Sequence, residues 1–135
     1  MAIQFSTAVR NARLDAWETA IGTSAVIRIR TGAQPANCAA ADSGTVLASF
    51  SLGANWASDA SGGSKAIASV PLTTTGSAPG TAAHYRVYAS DGTTCHEQGS
   101  VTATGGGGDV TVDNTSIASG QTVNITSWTK TEPHA

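Results

Sequence analysis

Charge is scarce in this chain: Lys and Arg number seven, Asp and Glu nine, and the net charge is −2 over 135 residues. A balance so small creates no field that recruits a polyanion, so binding to nucleic acid or to an anionic membrane is not expected. Bulky apolar residues are also few. Only 28 residues are Val, Ile, Leu, Met, Phe, Tyr or Trp, whereas Ala, Ser, Thr and Gly supply 73. Burying one large apolar side chain stabilises a fold by roughly 1.5–3 kcal/mol, against an ordering cost of roughly 1–2 kcal/mol per residue. The core is therefore thin, and such a chain gains by burying further surface against copies of itself or a larger assembly. No apolar run approaches the length of about 18 residues that a membrane span needs. The N-terminus, MAIQFSTAVRNARLDAW, has no apolar h-region, so neither a span nor a secretory signal is expected.

Residues that carry chemistry are as sparse. The possible metal ligands are Cys38, Cys95, His84, His96 and His134, and none form a CxxC or HxxxH pair of the kind structural zinc sites use. Cys95 and His96 are adjacent, and on a strand they point to opposite faces. For the two cysteines, reduced packed thiols fit a chain made in the cytosol. A disulfide stays open if the mature object lives outside the cell. Serines are abundant, yet neither a GxSxG elbow nor an SxxK motif is present to build a nucleophile. Four glycines, Gly105 to Gly108, are followed by Asp109 and not by the Lys-Ser/Thr of a phosphate-binding loop, so a linker or a tight close-approach turn is expected there. Asp91, Asp109, Asp113 and Glu97 fit turns or solvated strand faces. No catalytic residue, cofactor or metal site is nominated.

What the chain does contain is β structure behind one helix. Ser6 or Thr7 can cap a helix starting near Ala8, with Leu14, Trp17 and Ile21 on one face and Gly22 to end it. Arg10, Arg13, Asp15 and Glu18 lie off that stripe and are assigned to solvent or an interface. AVIRIR (25–30) alternates as a half-buried strand, and residues 31–44 read as a long loop. TVLASFSL (45–52) returns to strand; a flexible segment (53–64) carries Trp56, expected as a lid on the core. KAIASVPL (65–72) reads as a weak edge strand because Pro71 lacks a ladder donor, with 73–83 a loop. His84–Ser90 alternates, Asp91-Gly92 signals a hairpin, and strands follow at 94–104, 109–113 and 121–129. The expected fold is mainly β, an antiparallel β-sandwich or jelly-roll-like arrangement of about seven strands with one N-terminal α-helix. It divides into an arm and helix (1–22) and a β-sandwich (23–135) within a single compact domain.

Three stretches, MAIQFSTAVRNARLDAWETAIG, ASDGTTCHEQGSVTATGGGGDVTVDNTS and SGQTVNITSWT, resemble a family of small structural proteins of tailed-bacteriophage and prophage virions. The resemblance implies a non-enzymatic virion component located in the particle, with a capsid decoration (cement) protein the leading expectation. A tail, neck or adsorption-apparatus protein is the alternative, and a carbohydrate-binding module a further one. It implies a homo-oligomer that meets the major capsid protein or other virion proteins. The residues nominated for contact are Phe5, Arg10, Arg13 and Trp17 on the arm and helix, Trp56 in its loop, and Tyr88, His96 and Trp128 as an aromatic patch on strand faces.

Overall fold

A computed structural model describes residues 2–68 and 70–135. Helix α1 (Thr7–Ile21) starts where Ser6 accepts a hydrogen bond from the Val9 amide, and Gly22, at φ +84°, returns its own N–H to the Glu18 carbonyl. Leu14 and Ile21 are buried and Trp17 packs against the core, as the i, i+3, i+7 spacing requires.

Ten short strands follow: β1 (Val26–Arg30), β2 (Val46–Ser51), β3 (Ser64–Ala66), β4 (Leu72–Thr75), β5 (Gly80–Thr81), β6 (His84–Tyr88), β7 (Cys95–Ala103), β8 (Val110–Val112), β9 (Ser116–Ile117) and β10 (Thr122–Thr131). The main sheet runs β2-β1-β6-β7-β8-β10-β3, and β4 also pairs with β10. Bonds from Thr74 Oγ1 to the Ser49 carbonyl and from the Ser77 amide to the Leu47 carbonyl bring β4 beside β2. The mainly-β fold with one helix thus takes the form of a main sheet curled on itself, beside which β5 and β9 pair as a separate two-stranded ribbon. Its inside holds Ile27, Ile29, Leu47, Phe50, Val87, Val110, Val123 and Ile125, each at most 2% exposed.

Three features depart from the expected layout. The strand expected over 65–72 is split into β3 and β4, with the cis Val70–Pro71 peptide between them, and the expected loop 73–83 carries most of β4 and all of β5. Pro71 offers no amide to a ladder, so the pairing stops before it and resumes at Leu72 opposite Ile125. The third departure is that β7 and β8 pair in parallel, Val101 beside Val110 and Ala103 beside Val112. Parallel neighbours ordinarily need a crossover of a dozen or more residues. Here residues 104–109 suffice because the glycine run lets the chain fold tightly over the end of β7. A Cβ on Gly106 or on Gly108 would lie 2.8 Å from Thr102 atoms, and the Gly108 amide itself donates to Thr102 Oγ1. The run is a close-approach turn.

Candidate functional site

Three polar or exposed features are candidates for function. The first surrounds Glu97, which the sequence reading placed on a solvated strand face. That reading is corrected: Glu97 lies opposite Val87 on the inner face of β7, and its side chain is 12% exposed. Each carboxylate oxygen accepts two hydrogen bonds. Oε1 takes the Trp17 indole N–H at 2.9 Å and the Lys130 ammonium at 2.7 Å; Oε2 takes the Tyr85 hydroxyl at 2.5 Å and the Trp128 indole N–H at 3.0 Å. Four donors fill the lone-pair sites of a carboxylate. Burial, and then the negative charge of Glu97, hold the Tyr85 hydroxyl far above its ordinary pKa, so the phenol stays neutral. A saturated acceptor beside a neutral phenol has no free position for a substrate proton. The cluster is an anchor that ties α1, through Trp17, to β6, β7 and β10.

The tryptophans complete it. Trp56 stacks on Trp128 with ring centroids 5.4 Å apart and planes 12° from parallel, while Trp17 meets both edge-on. Trp56 also donates its indole N–H to the Gly22 carbonyl and is buried, the lid expected of it. Lys65, 3% exposed, adds a second tie between α1 and β3 by pairing with Asp15 at 2.8 Å and Glu18 at 2.6 Å. Burial works against its charge, but the hydrogen bonds it donates to the Asp15 and Glu18 carboxylates outweigh that and raise its pKa.

The second feature is the outer face of β1, β6 and β7. His84, Arg86 and Tyr88 alternate away from the core as the sequence suggested, yet all five residues of β6 are buried. The cover is the 31–44 segment, laid across that face and held by side chains beneath it. Arg86 donates to the carbonyls of Asn37, Cys38 and Ala40 and pairs with Asp42; Gln98 donates to the Pro35 carbonyl and His84 Nδ1 to that of Gly32. Asp42 also accepts from Arg30 at 3.0 Å and the Tyr88 hydroxyl at 2.7 Å. Burial pushes the Asp42 carboxyl up, but the hydrogen bonds from Tyr88 and Arg86 and the charge of Arg30 carry it below the ordinary value. Four buried side-chain atoms beneath the segment, Nε of Arg30 and Arg86, Nε2 of His84 and Oε1 of Gln98, have no protein partner.

The third feature is the N-terminal arm. The Phe5 amide donates to the His134 carbonyl at 2.7 Å, its ring meets that of His134 edge-on at 5.8 Å, and the Arg13 guanidinium lies 5.1 Å from the ring centroid. Gln4 reaches the Ala135 carbonyl, and Arg13 pairs with Glu132 at 3.0 Å. The arm is therefore pinned to the C-terminal segment. From this mount Ile3 is 68% and Val9 44% exposed.

The nominated contact residues divide accordingly. Tyr88 and Trp128 are buried on opposite faces of the sheet, so the expected aromatic patch with His96 does not form, and only His96 is exposed. Arg10, expected on a solvated or interface side, is instead 9% exposed and donates to the Glu132 carbonyl. Trp17 and Trp56 are spent on the core cluster. Phe5 and Arg13 are the nominated residues on the arm and first helical turns, where apolar surface is exposed. Ile3 and Val9 were missed, since isolated apolar residues near a terminus carry no pattern. Glu97, Lys65 and Asp42 were missed as well. The scarcity of charge was the available signal: in a chain with so few ionised groups, each one is worth placing.

Among the described residues no three of His, Cys, Asp and Glu gather to hold a metal ion, and no helix is long and apolar enough to cross a membrane. A shallow cavity of about 280 Å³ lies beside Trp56, lined by Glu18, Thr19, Gly22, Thr23 and Ala54. Its tryptophan stacks one face on Trp128. No protein-family model, curated protein or solved structure matches the chain.

Proposed function

We propose that this chain is a non-enzymatic structural protein of a tailed-phage virion, a head-decoration protein that binds the capsid exterior in many symmetric copies. The resemblance of its N-terminal, central and C-terminal stretches to virion proteins supplies the setting. The observation that carries the reading is the N-terminal edge: Ile3 on the arm and Val9 on the first turn of α1 stand exposed on either side of Gln4 and Phe5, which are clamped to the C-terminus. An apolar contact presented from a fixed mount loses little freedom on docking, so more of its burial goes into affinity. The other large side chains support the same reading, because the charged clusters at Glu97, Asp42 and Lys65 are consumed in holding the module rigid. The action is mass action: each docked copy adds buried interface to the assembled lattice and stabilises it.

The helix itself cannot be removed to test this, since Trp17, Asp15 and Glu18 belong to the core cluster and its ties. Point changes on the arm are the usable probe. Ile3→Asp with Val9→Asp is expected to leave the fold intact and to lower the number of copies retained on particles by tenfold or more, about 1.4 kcal/mol or above in docking. Full occupancy by this variant would show that the arm is not the contact. A dozen or fewer wild-type copies per particle would move the protein to the tail or neck.

A further inference from the structure

The cavity beside Trp56 is built where α1 ends. Gly22 stops the helix, and two bonds join the turn that follows to residues 53–56: the Ser24 amide to the Gly53 carbonyl at 3.4 Å, and the Trp56 indole N–H to the Gly22 carbonyl at 3.0 Å. Between the helix end and this second turn lies the space of about 280 Å³, with Trp56 as its apolar wall. Its polar side is negative. The last carbonyls of a helix carry roughly half a negative charge, and no basic residue stands in the last turn of α1 to offset it. The Thr19, Ala20 and Ile21 carbonyls accept no backbone amide among the described residues. Glu18, the one charged side chain of the lining, is 24% exposed; it gives Oε2 to Lys65 at 2.6 Å, and Oε1 has no partner among the described residues. Lys65 in turn faces two carboxylates, Glu18 and Asp15, so one ammonium is set against two negative charges. The other six basic side chains are engaged elsewhere: Arg10 and Arg13 at Glu132, Arg30 and Arg86 at Asp42, Arg28 at the Gly92 carbonyl and Lys130 at Glu97.

We propose that this cavity is a binding site for a single organic cation on a short apolar stem, an alkylammonium or alkylguanidinium group. The stem lies against Trp56, and the charge meets the Glu18 carboxylate and the carbonyl end of α1. Volume sets the size of the guest: ligand pockets commonly run from about 300 to 1,000 Å³, so this one admits a group of side-chain size and no larger molecule. A free amine and the lysine or arginine side chain of a neighbouring protein share this chemistry. An anion is repelled by the same groups, and a neutral alcohol of equal length gains the apolar wall without the charge. The site uses none of the residues by which the arm docks, so it stands or falls apart from that reading.

The test titrates the full nitrogen-15-labelled chain with n-butylammonium chloride at constant ionic strength, with 1-butanol as the neutral counterpart. Amide shifts at Thr19, Gly22, Thr23 and Ala54 and at the Trp56 indole N–H should saturate, with half-saturation at millimolar concentration. Butanol should bind about tenfold more weakly or worse. Glu18→Gln leaves Lys65 its bond to Asp15 and should weaken butylammonium binding by about fivefold or more. Ala54→Leu, which fills the mouth without touching an ion pair, should abolish it. A lysine capped at both ends as amides separates the two sources: if it binds as tightly as butylammonium, the guest is a protein side chain, and if it does not bind, a free amine. Butylammonium shifts that never saturate, equal binding of butanol, or a Glu18→Gln chain that binds as the wild type does would each overturn the proposal.

Discussion

Replacing Glu97 by Ala removes the common acceptor of Trp17, Tyr85, Trp128 and Lys130. A hydrogen bond to a charged partner contributes about 1.5–3 kcal/mol, so four such bonds set a ceiling of about 6–12 kcal/mol, comparable to the whole stability of a domain. The real cost is smaller, because the truncation opens space for water and Lys130, about a quarter exposed, can turn outward. Removing one partner of a buried ion pair costs about 3–5 kcal/mol. For a domain of this size that lowers the thermal midpoint by about 15 °C. Glu97→Gln keeps the volume and one acceptor but turns an amide N–H₂ towards indole and ammonium donors, so it should lose about half as much. Near-ultraviolet circular dichroism is the assay, since all three tryptophans share the cluster and the stacked Trp56–Trp128 pair gives a signal that vanishes when it loosens. Shifts below about 3 °C for both variants would refute the reasoning, because no arrangement with Glu97 as the common acceptor could be that insensitive.

Two further outcomes follow from the geometry. Gly108→Ala puts a methyl 2.8 Å from Thr102 Oγ1 and 2.9 Å from its amide nitrogen, so equilibrium unfolding in urea should show a loss of about 1–3 kcal/mol; Gly53→Ala, with nothing within 4 Å of the added carbon, is the matched control and should be near neutral. The carboxyls of Asp42, Asp15 and Asp109 all titrate below their ordinary value in the folded chain. A lowered folded pKa adds stability that is present above the unfolded value and lost as pH falls through the folded one, so unfolding midpoints should hold steady at pH 5–7 and drop below about pH 4. A midpoint that rises on acidification would contradict these assignments.

How far the fold could be read from the chain depended on what each signal describes. Local signals held: Ser6 and Gly22 bounded the helix, the period-2 runs found β1, β2 and β6, and Asp91-Gly92 turned the hairpin that leads into β7. What failed was everything set by distant chain. Alternation in β6 separated two faces correctly, but it could not say that the polar face lies under the 31–44 segment, since that depends on Arg86 and Asp42 meeting across the sheet. Tyr88 and Trp128 were assigned to one exposed patch because each stands on an apparently polar or terminal stretch. Their burial on opposite sides of the sheet comes from partners far away in sequence, Asp42 for one and Glu97 for the other. The parallel β7–β8 pair was hidden for a different reason: short connections argue for antiparallel neighbours, and only the glycine run lets residues 104–109 break that rule.

The central claim, an assembly module that docks by its arm, is tested most directly by a particle reconstruction with the chain located in it. Many symmetry-related copies are expected on the head surface, with Ile3 and Val9 buried against the capsid lattice. Copies whose arms point into solvent, or particles that carry no copy at all, would contradict it.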